Sequence, residues 1–91
     1  SATKAALPGF ARGVARDLGT RGITANVVQP GPIDTELNPA DGEGAALIRS
    51  FCATGGYGKV SDIAAAVSYL ASPAAGYVTG TVLTVDGGLC A

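Results

Sequence analysis

The chain has 91 residues, with 6 Lys and Arg against 7 Asp and Glu for a formal net charge of −1, and 47% hydrophobic residues with 14 glycines. That allows one small α/β unit at most, and with no basic cluster it offers no electrostatic footing for nucleic acid or an anionic membrane. His is absent and Cys occurs only at Cys52 and Cys90, which excludes His-containing zinc sites, Ser-His-Asp triads and four-Cys clusters within the chain.

From Ala2 to Leu18 the apolar positions Leu7, Phe10, Val14 and Leu18, with Ala11 and Ala15 between them, recur at three- and four-residue steps and predict a helix. Pro8, Gly9 and Gly13 oppose it, at about 3 kcal/mol for the proline and about 1 kcal/mol for each glycine, although the glycine pair also allows close approach of another backbone. Gly19 suits the C-terminal stop. Residues 23–29, β-branched and apolar on both faces, predict a buried parallel strand rather than a half-wet one, and Pro30, Gly31 and Pro32 end it. Residues 33–60 read as loop, with helical character only over 44–52 through Ala45, Leu47, Ile48 and Phe51. Ser61 is the expected N-cap of a helix over 62–71, striped by Ile63, Ala66, Val67 and Leu70, with Asp62 complementing the helix dipole. Ser72 and Pro73 close that helix, and a second two-faced apolar strand over 81–86 leads into Asp86, Gly87 and Gly88.

Strand, helical crossover and strand form a right-handed βαβ unit. Parallel sheets are covered on both faces and rarely consist of two strands, so this pair is expected to be the edge of a larger doubly wound sheet. With 2 Phe, 3 Tyr and no Trp or Met, few large side chains are available for a core, and the first segment already reads as the inside of a helix. Both features predict a piece of a longer polypeptide, only marginally folded alone. No apolar run approaches the roughly 20 residues of a membrane span and no basic segment leads into one, so no membrane partner is expected. Two distant cysteines fit a reducing cytoplasm.

Three segments occur in order at characteristic spacings: Ser1 to Leu7 (SATKAAL), Val28 to Thr35 (VQPGPIDT) and Val85 to Gly88 (VDGG). Together they resemble the C-terminal part of a short-chain dehydrogenase/reductase, nearest to the cytoplasmic bacterial members related to 3-oxoacyl-carrier-protein reductases. The resemblance covers essentially the whole chain. It implies an α/β Rossmann fold of seven parallel strands, dependence on NAD or NADP, a small-molecule carbonyl or alcohol substrate, and a homodimer or homotetramer. Residues 1–91 then form the C-terminal segment of one such domain, without its N-terminal cofactor-binding half.

The family pairs a catalytic Tyr with a Lys four residues later, and Lys4 matches that Lys while the Tyr falls immediately before Ser1. The glycine-rich loop and the catalytic Ser and Asn also lie upstream, so the 91 residues alone are expected to be inactive. Helical spacing would set the Lys4 ammonium beside the phenol. Two charges about 4 Å apart at an effective dielectric of about 20 interact by about 4 kcal/mol, which lowers a Tyr pKa from about 10 by up to about three units. In the family this Lys also hydrogen-bonds the nicotinamide ribose, the position of Ile33 holds the nicotinamide carboxamide through main-chain groups, and the Thr35 hydroxyl adds a cofactor contact.

Pro30 and Gly31 stand where the chain leaves the carboxyl end of a strand, the usual ligand position of open α/β sheets. Gly31 lets a ligand come close and Pro32 stiffens the presentation of Ile33. The alternative readings are a solvated surface lysine at Lys4, a strand-ending turn at Pro30 and Gly31, and an ordinary helix N-cap at Thr35. Asn26 is expected to be structural, its amide satisfying backbone groups, and Asp86, Gly87 and Gly88 to be the turn after the last strand. Tyr57, Tyr69 and Tyr77 are expected to be packing or interface residues rather than catalytic ones, because none precedes a Lys by four residues. Asp34 and Glu36 read as solvated loop charges. The rival function is a non-catalytic module, either a degenerate family member or a stand-alone fragment whose remaining role is subunit association.

Overall fold

One helix on each face of a two-stranded parallel sheet is the framework of the molecule. The computed structural model describes the backbone of residues 2–91 and the side chains of residues 6–91.

Helix α1 runs from Ala2 to Leu18 with Pro8 inside it, as the periodicity predicts. Its Ala11 and Ala15 are among the most buried residues, so packing of this small-residue face offsets the local cost of proline and glycine. A Cβ at Gly9 or Gly13 would meet nothing within 4 Å among the described residues. The α-helix ends just before Gly19, as expected. A 3-10 turn over Gly19–Arg21 follows, and the left-handed residue is Gly22, at φ +76°. Its N–H bonds the carbonyl of Gly19 at 3.1 Å, so the left-handed closure lies three residues beyond the glycine that ends the α-helix.

Strand β1 is Val27–Pro30 and pairs in parallel with β2, Val82–Val85, in the register Val27↔Val82 to Pro30↔Val85. Both strands are shorter than expected. Ala25 and Asn26 lie opposite the bend that precedes β2 and are held there by other means. Gly80 donates to the carbonyl of Ala25 at 2.7 Å, and the Ala25 N–H donates to Thr79 Oγ1 at 3.0 Å. Asn26 donates to the Val78 carbonyl and accepts from the Thr81 N–H, both at 3.1 Å, which is the structural role expected of it. Val27 and Gly31 donate to β2 at alternate positions, so Pro30 sits where no donor toward β2 is required.

Helix α2 is Ala45–Phe51, within the expected segment. Helix α3 is Val60–Ala71, two residues longer than predicted and not capped by Ser61. The Asp62 carboxylate reaches back to accept the N–H of Lys59 at 2.7 Å, which moves the helix start upstream. Val27 lines a hollow with Leu7, Phe10 and Ala11 of α1, and Val28 lines another with Val67 and Leu70 of α3. Successive strand residues point to opposite faces, so α1 and α3 cover opposite sides of the sheet.

The buried core is small-residue: Ala11, Ala15, Ala45, Cys52 and Ala75. Phe10 and Phe51 are 71% and 62% exposed. The accessible surface is 6306 Å², against about 4,800 Å² for a self-contained domain of this mass. The radius of gyration is 15.2 Å against about 12 Å. Much of the apolar surface is therefore left uncovered by the chain itself.

Candidate dinucleotide site

The carboxyl ends of β1 and β2 converge with the segment that joins α2 to α3. Beyond Pro30 the chain is extended, and Ile33 forms an isolated parallel bridge with Gly58. The bridge is made by the neighbours of Ile33: Gly58 donates to the Pro32 carbonyl at 3.0 Å, and Asp34 donates to the Gly58 carbonyl at 2.9 Å. In a parallel pairing the central residue then directs its own N–H and C=O to the opposite side. Among the described residues neither main-chain group of Ile33 has a hydrogen-bond partner. An adjacent donor and acceptor held at the end of a parallel pair can receive a primary amide, which offers one of each.

Gly31 is packed as tightly as its neighbours allow. Its N–H donates to the Val85 carbonyl at 2.9 Å, and a Cβ there would lie 2.6 Å from Asp86 Cα. The absence of a side chain thus serves contact with the chain's own backbone.

Thr35 does not cap a helix, because none follows; residues 36–38 form a bend, and Asn38 before Pro39 is disfavoured in helical conformation. Thr35 Oγ1 instead accepts the Asn38 N–H at 3.1 Å, leaving the hydroxyl proton to donate elsewhere. Asp34 is not merely a solvated charge. Its Oδ1 accepts the Ala40 N–H at 2.8 Å, and the Ala40 carbonyl accepts from the Arg49 guanidinium, which ties the 34–40 loop to α2.

Helix α1 runs against β1, since Leu7 and Pro8 line a hollow with Val27 and Gln29 while Val14 lines one with Ala25. The first turn of α1, which contains Lys4, is therefore at the same end of the sheet as Ile33. The Lys4 side chain lies outside the described residues.

Behind Ile33 is a hollow of about 350 Å³ bordered by Tyr57, Asp62 and Asp86. The Tyr57 hydroxyl is buried there without a hydrogen-bond partner among the described residues. Asp86 accepts from the Gly88 N–H at 2.9 Å and from the Cys90 N–H at 3.1 Å. The Gly88 N–H above all holds the Asp86 carboxyl below its ordinary value, against a partial desolvation, and the carboxylate in turn pushes the Cys90 thiol up. The long-range neighbours of Gly31 and Ile33 carried no local signal; only the run of glycines after Asp86 marked the turn. No group of three potential metal ligands occurs among the described residues, and none of their helices is long and apolar enough to cross a membrane.

Residues 1–90 match the protein family described as Enoyl-(Acyl carrier protein) reductase. The chain is 52% identical over 87 residues to the cyclic-di-GMP-binding biofilm dispersal mediator protein of Escherichia coli, covering 96% of this chain and 37% of that one. It is 47% identical over 89 residues to the 3-oxoacyl-(acyl-carrier-protein) reductase FabG of Haemophilus influenzae, covering 97% of this chain and 37% of the relative. A short-chain dehydrogenase from Burkholderia cenocepacia, solved in complex with NADP, superposes with a TM-score of 0.92 at 52% identity over 99% of this chain and 37% of its own. The chain thus spans about 37% of the length of the curated relatives it matches.

Proposed function

Because this chain belongs to the short-chain dehydrogenase/reductase family, we propose that it is the C-terminal segment of an oxidoreductase that moves a hydride between a nicotinamide dinucleotide and a carbonyl or secondary alcohol. The observation that carries this reading is the pair of main-chain groups on Ile33, freed by the Gly58 bridge at the carboxyl end of β1. They fit a carboxamide as donor and acceptor, and the likeness to an NADP-bound dehydrogenase agrees with them. The bound dinucleotide supplies or accepts the hydride.

In this assignment Ile33 orients the nicotinamide, Pro30 and Gly31 set the position of Ile33, and Thr35 donates its hydroxyl proton to the cofactor. Lys4 binds the ribose and lowers the pKa of a Tyr one turn earlier on the same helix, so that the phenol can exchange a proton with the substrate oxygen near neutral pH. Residues 1–91 alone are inactive on this reading. The two unpaired cysteines, Cys52 buried and Cys90 exposed, suit a cytoplasmic setting, and the exposed apolar surface of α1 suits coverage by the remainder of the domain and by a second subunit of a dimer or tetramer.

Lys4→Met in the intact protein keeps the aliphatic stem and removes the charge. Dinucleotide affinity and turnover should fall, and the acidic limb of the alcohol-oxidation profile, set by loss of the phenol proton, should move up by as much as about three pH units. Unchanged rate, pH profile and affinity would refute the assignment of Lys4. Failure of the intact wild-type protein to bind NAD(H) or NADP(H) would leave the rival, a non-catalytic association module.

A further inference from the structure

We propose that Asp86 is a positioning residue for the dinucleotide site: its carboxylate fixes the turn after β2 as a backstop against Gly31, and thereby sets where Ile33 presents its main-chain groups. The inference rests on the functional reading above and deepens it.

The contacts form a closed ring. Gly31 donates to Val85 at 2.9 Å, Thr54 donates to the Gly87 carbonyl at 2.9 Å, and Gly58, four residues along from Thr54, is bonded to Pro32 and Asp34 on both sides of Ile33. The turn that completes the ring is intrinsically loose. Gly87 and Gly88 are consecutive left-handed residues, at φ +62° and +84°, and Cβ atoms there would lie 2.7 Å from Thr54 Oγ1 and 2.5 Å from the Ala53 Cβ. Glycine is thus required at both positions for conformation and for space, and two glycines in succession leave the backbone free to move unless something else restrains it. The restraint is the Asp86 carboxylate, one oxygen on the Gly88 N–H and the other on the Cys90 N–H. Such charge-assisted bonds are roughly twice as strong as neutral ones.

Without the carboxylate both N–H groups lose their acceptor and the turn is no longer held in register. The Cα of Asp86 is the atom against which Gly31 packs, so movement of the turn passes directly to Gly31 and along two residues to Ile33. Displacement of a positioning group by about 1 Å can cost about 10²-fold in a reaction. The effect should be confined to the nicotinamide end of the cofactor, because the ring meets the site through Gly31 and Ile33, the residues assigned to the nicotinamide.

The test uses the intact protein with Asp86→Ala and the near-isosteric Asp86→Asn, titrated with NADPH and, separately, with 2′-phospho-ADP-ribose, which lacks the nicotinamide. Asp86→Ala should weaken NADPH binding by about tenfold or more while leaving 2′-phospho-ADP-ribose within about twofold. Asp86→Asn, whose amide oxygen still accepts one N–H, should fall between the two. Equal weakening of both ligands would reduce Asp86 to a purely structural residue, and unchanged NADPH affinity in the folded Asn variant would overturn the proposal outright. A wild-type protein that binds both ligands with no Asp86 effect refutes this inference alone, whereas one that binds neither NADPH nor NADH refutes the functional reading as well.

Discussion

Replacing Gly31 by alanine puts a methyl carbon 2.6 Å from the Cα of Asp86, 2.7 Å from its Cβ and 3.0 Å from its carbonyl oxygen. Non-bonded carbons prefer about 3.5–4.0 Å, so the two segments must separate by about 1 Å. The nearest obstacle is backbone, which cannot rotate aside as a long side chain would. Separation also strains the 2.9 Å bond from Gly31 N–H to the Val85 carbonyl. Overpacking of this kind costs about 1–3 kcal/mol, which for an intact domain of the relatives' size lowers Tm by roughly 2–12 °C. Gly19→Ala is the control, because a Cβ there meets nothing within 4 Å and the expected change is within about 0.5 kcal/mol. Denaturant melts and dinucleotide titration of the intact protein read both consequences. Gly31→Ala with wild-type stability and wild-type dinucleotide affinity would refute the close approach on which the account of the site depends.

Asn26→Leu should cost about 2 kcal/mol in urea unfolding, because it leaves the Thr81 N–H and the Val78 carbonyl without partners in a half-buried setting; a loss below about 0.5 kcal/mol would contradict the bridging role. Iodoacetamide followed by peptide mass spectrometry should modify the exposed Cys90 before the buried Cys52. Its reaction should rise only at a pH above that of an ordinary thiol, since Asp86 accepts its hydrogen bond and repels the thiolate. Asp86→Asn should shift that rise to lower pH, and no shift would disprove the coupling. The two groups also limit stability at opposite ends of the pH scale. The contribution of Asp86, whose pKa is depressed, is present above the ordinary carboxylate range and is lost as pH falls through its folded value. That of Cys90, whose pKa is raised, is present below the ordinary thiol value and is lost as pH rises through its folded value.

The extent of α1, the existence of both strands and their parallel pairing were legible in the residue pattern, because periodicity and β-branching act over a few neighbouring positions. The segment from Val28 to Thr35 likewise marked the end of β1 as the candidate site. Other features depended on partners far along the chain. Where β1 begins follows from where β2 can meet it, and Ala25 and Asn26 drop out of the ladder because they face a bend held by Asn26 and Thr79. Two neighbouring residues, Ser61 and Asp62, could both cap α3, and only the local geometry selected the reach from Asp62 to Lys59.

Gly31 read alone as space for a ligand, yet its nearest neighbour is Asp86, 55 positions away and invisible to any local pattern. The main-chain groups of Ile33 were identified only through a resemblance; their freedom arises because Gly58 takes up the groups on either side. Local sequence determined which segments are helix or strand, since dihedral preference and hydrophobic spacing are short-range. Tertiary structure alone decided which donors and acceptors remain for a ligand, since that depends on which distant backbone groups have already been paired.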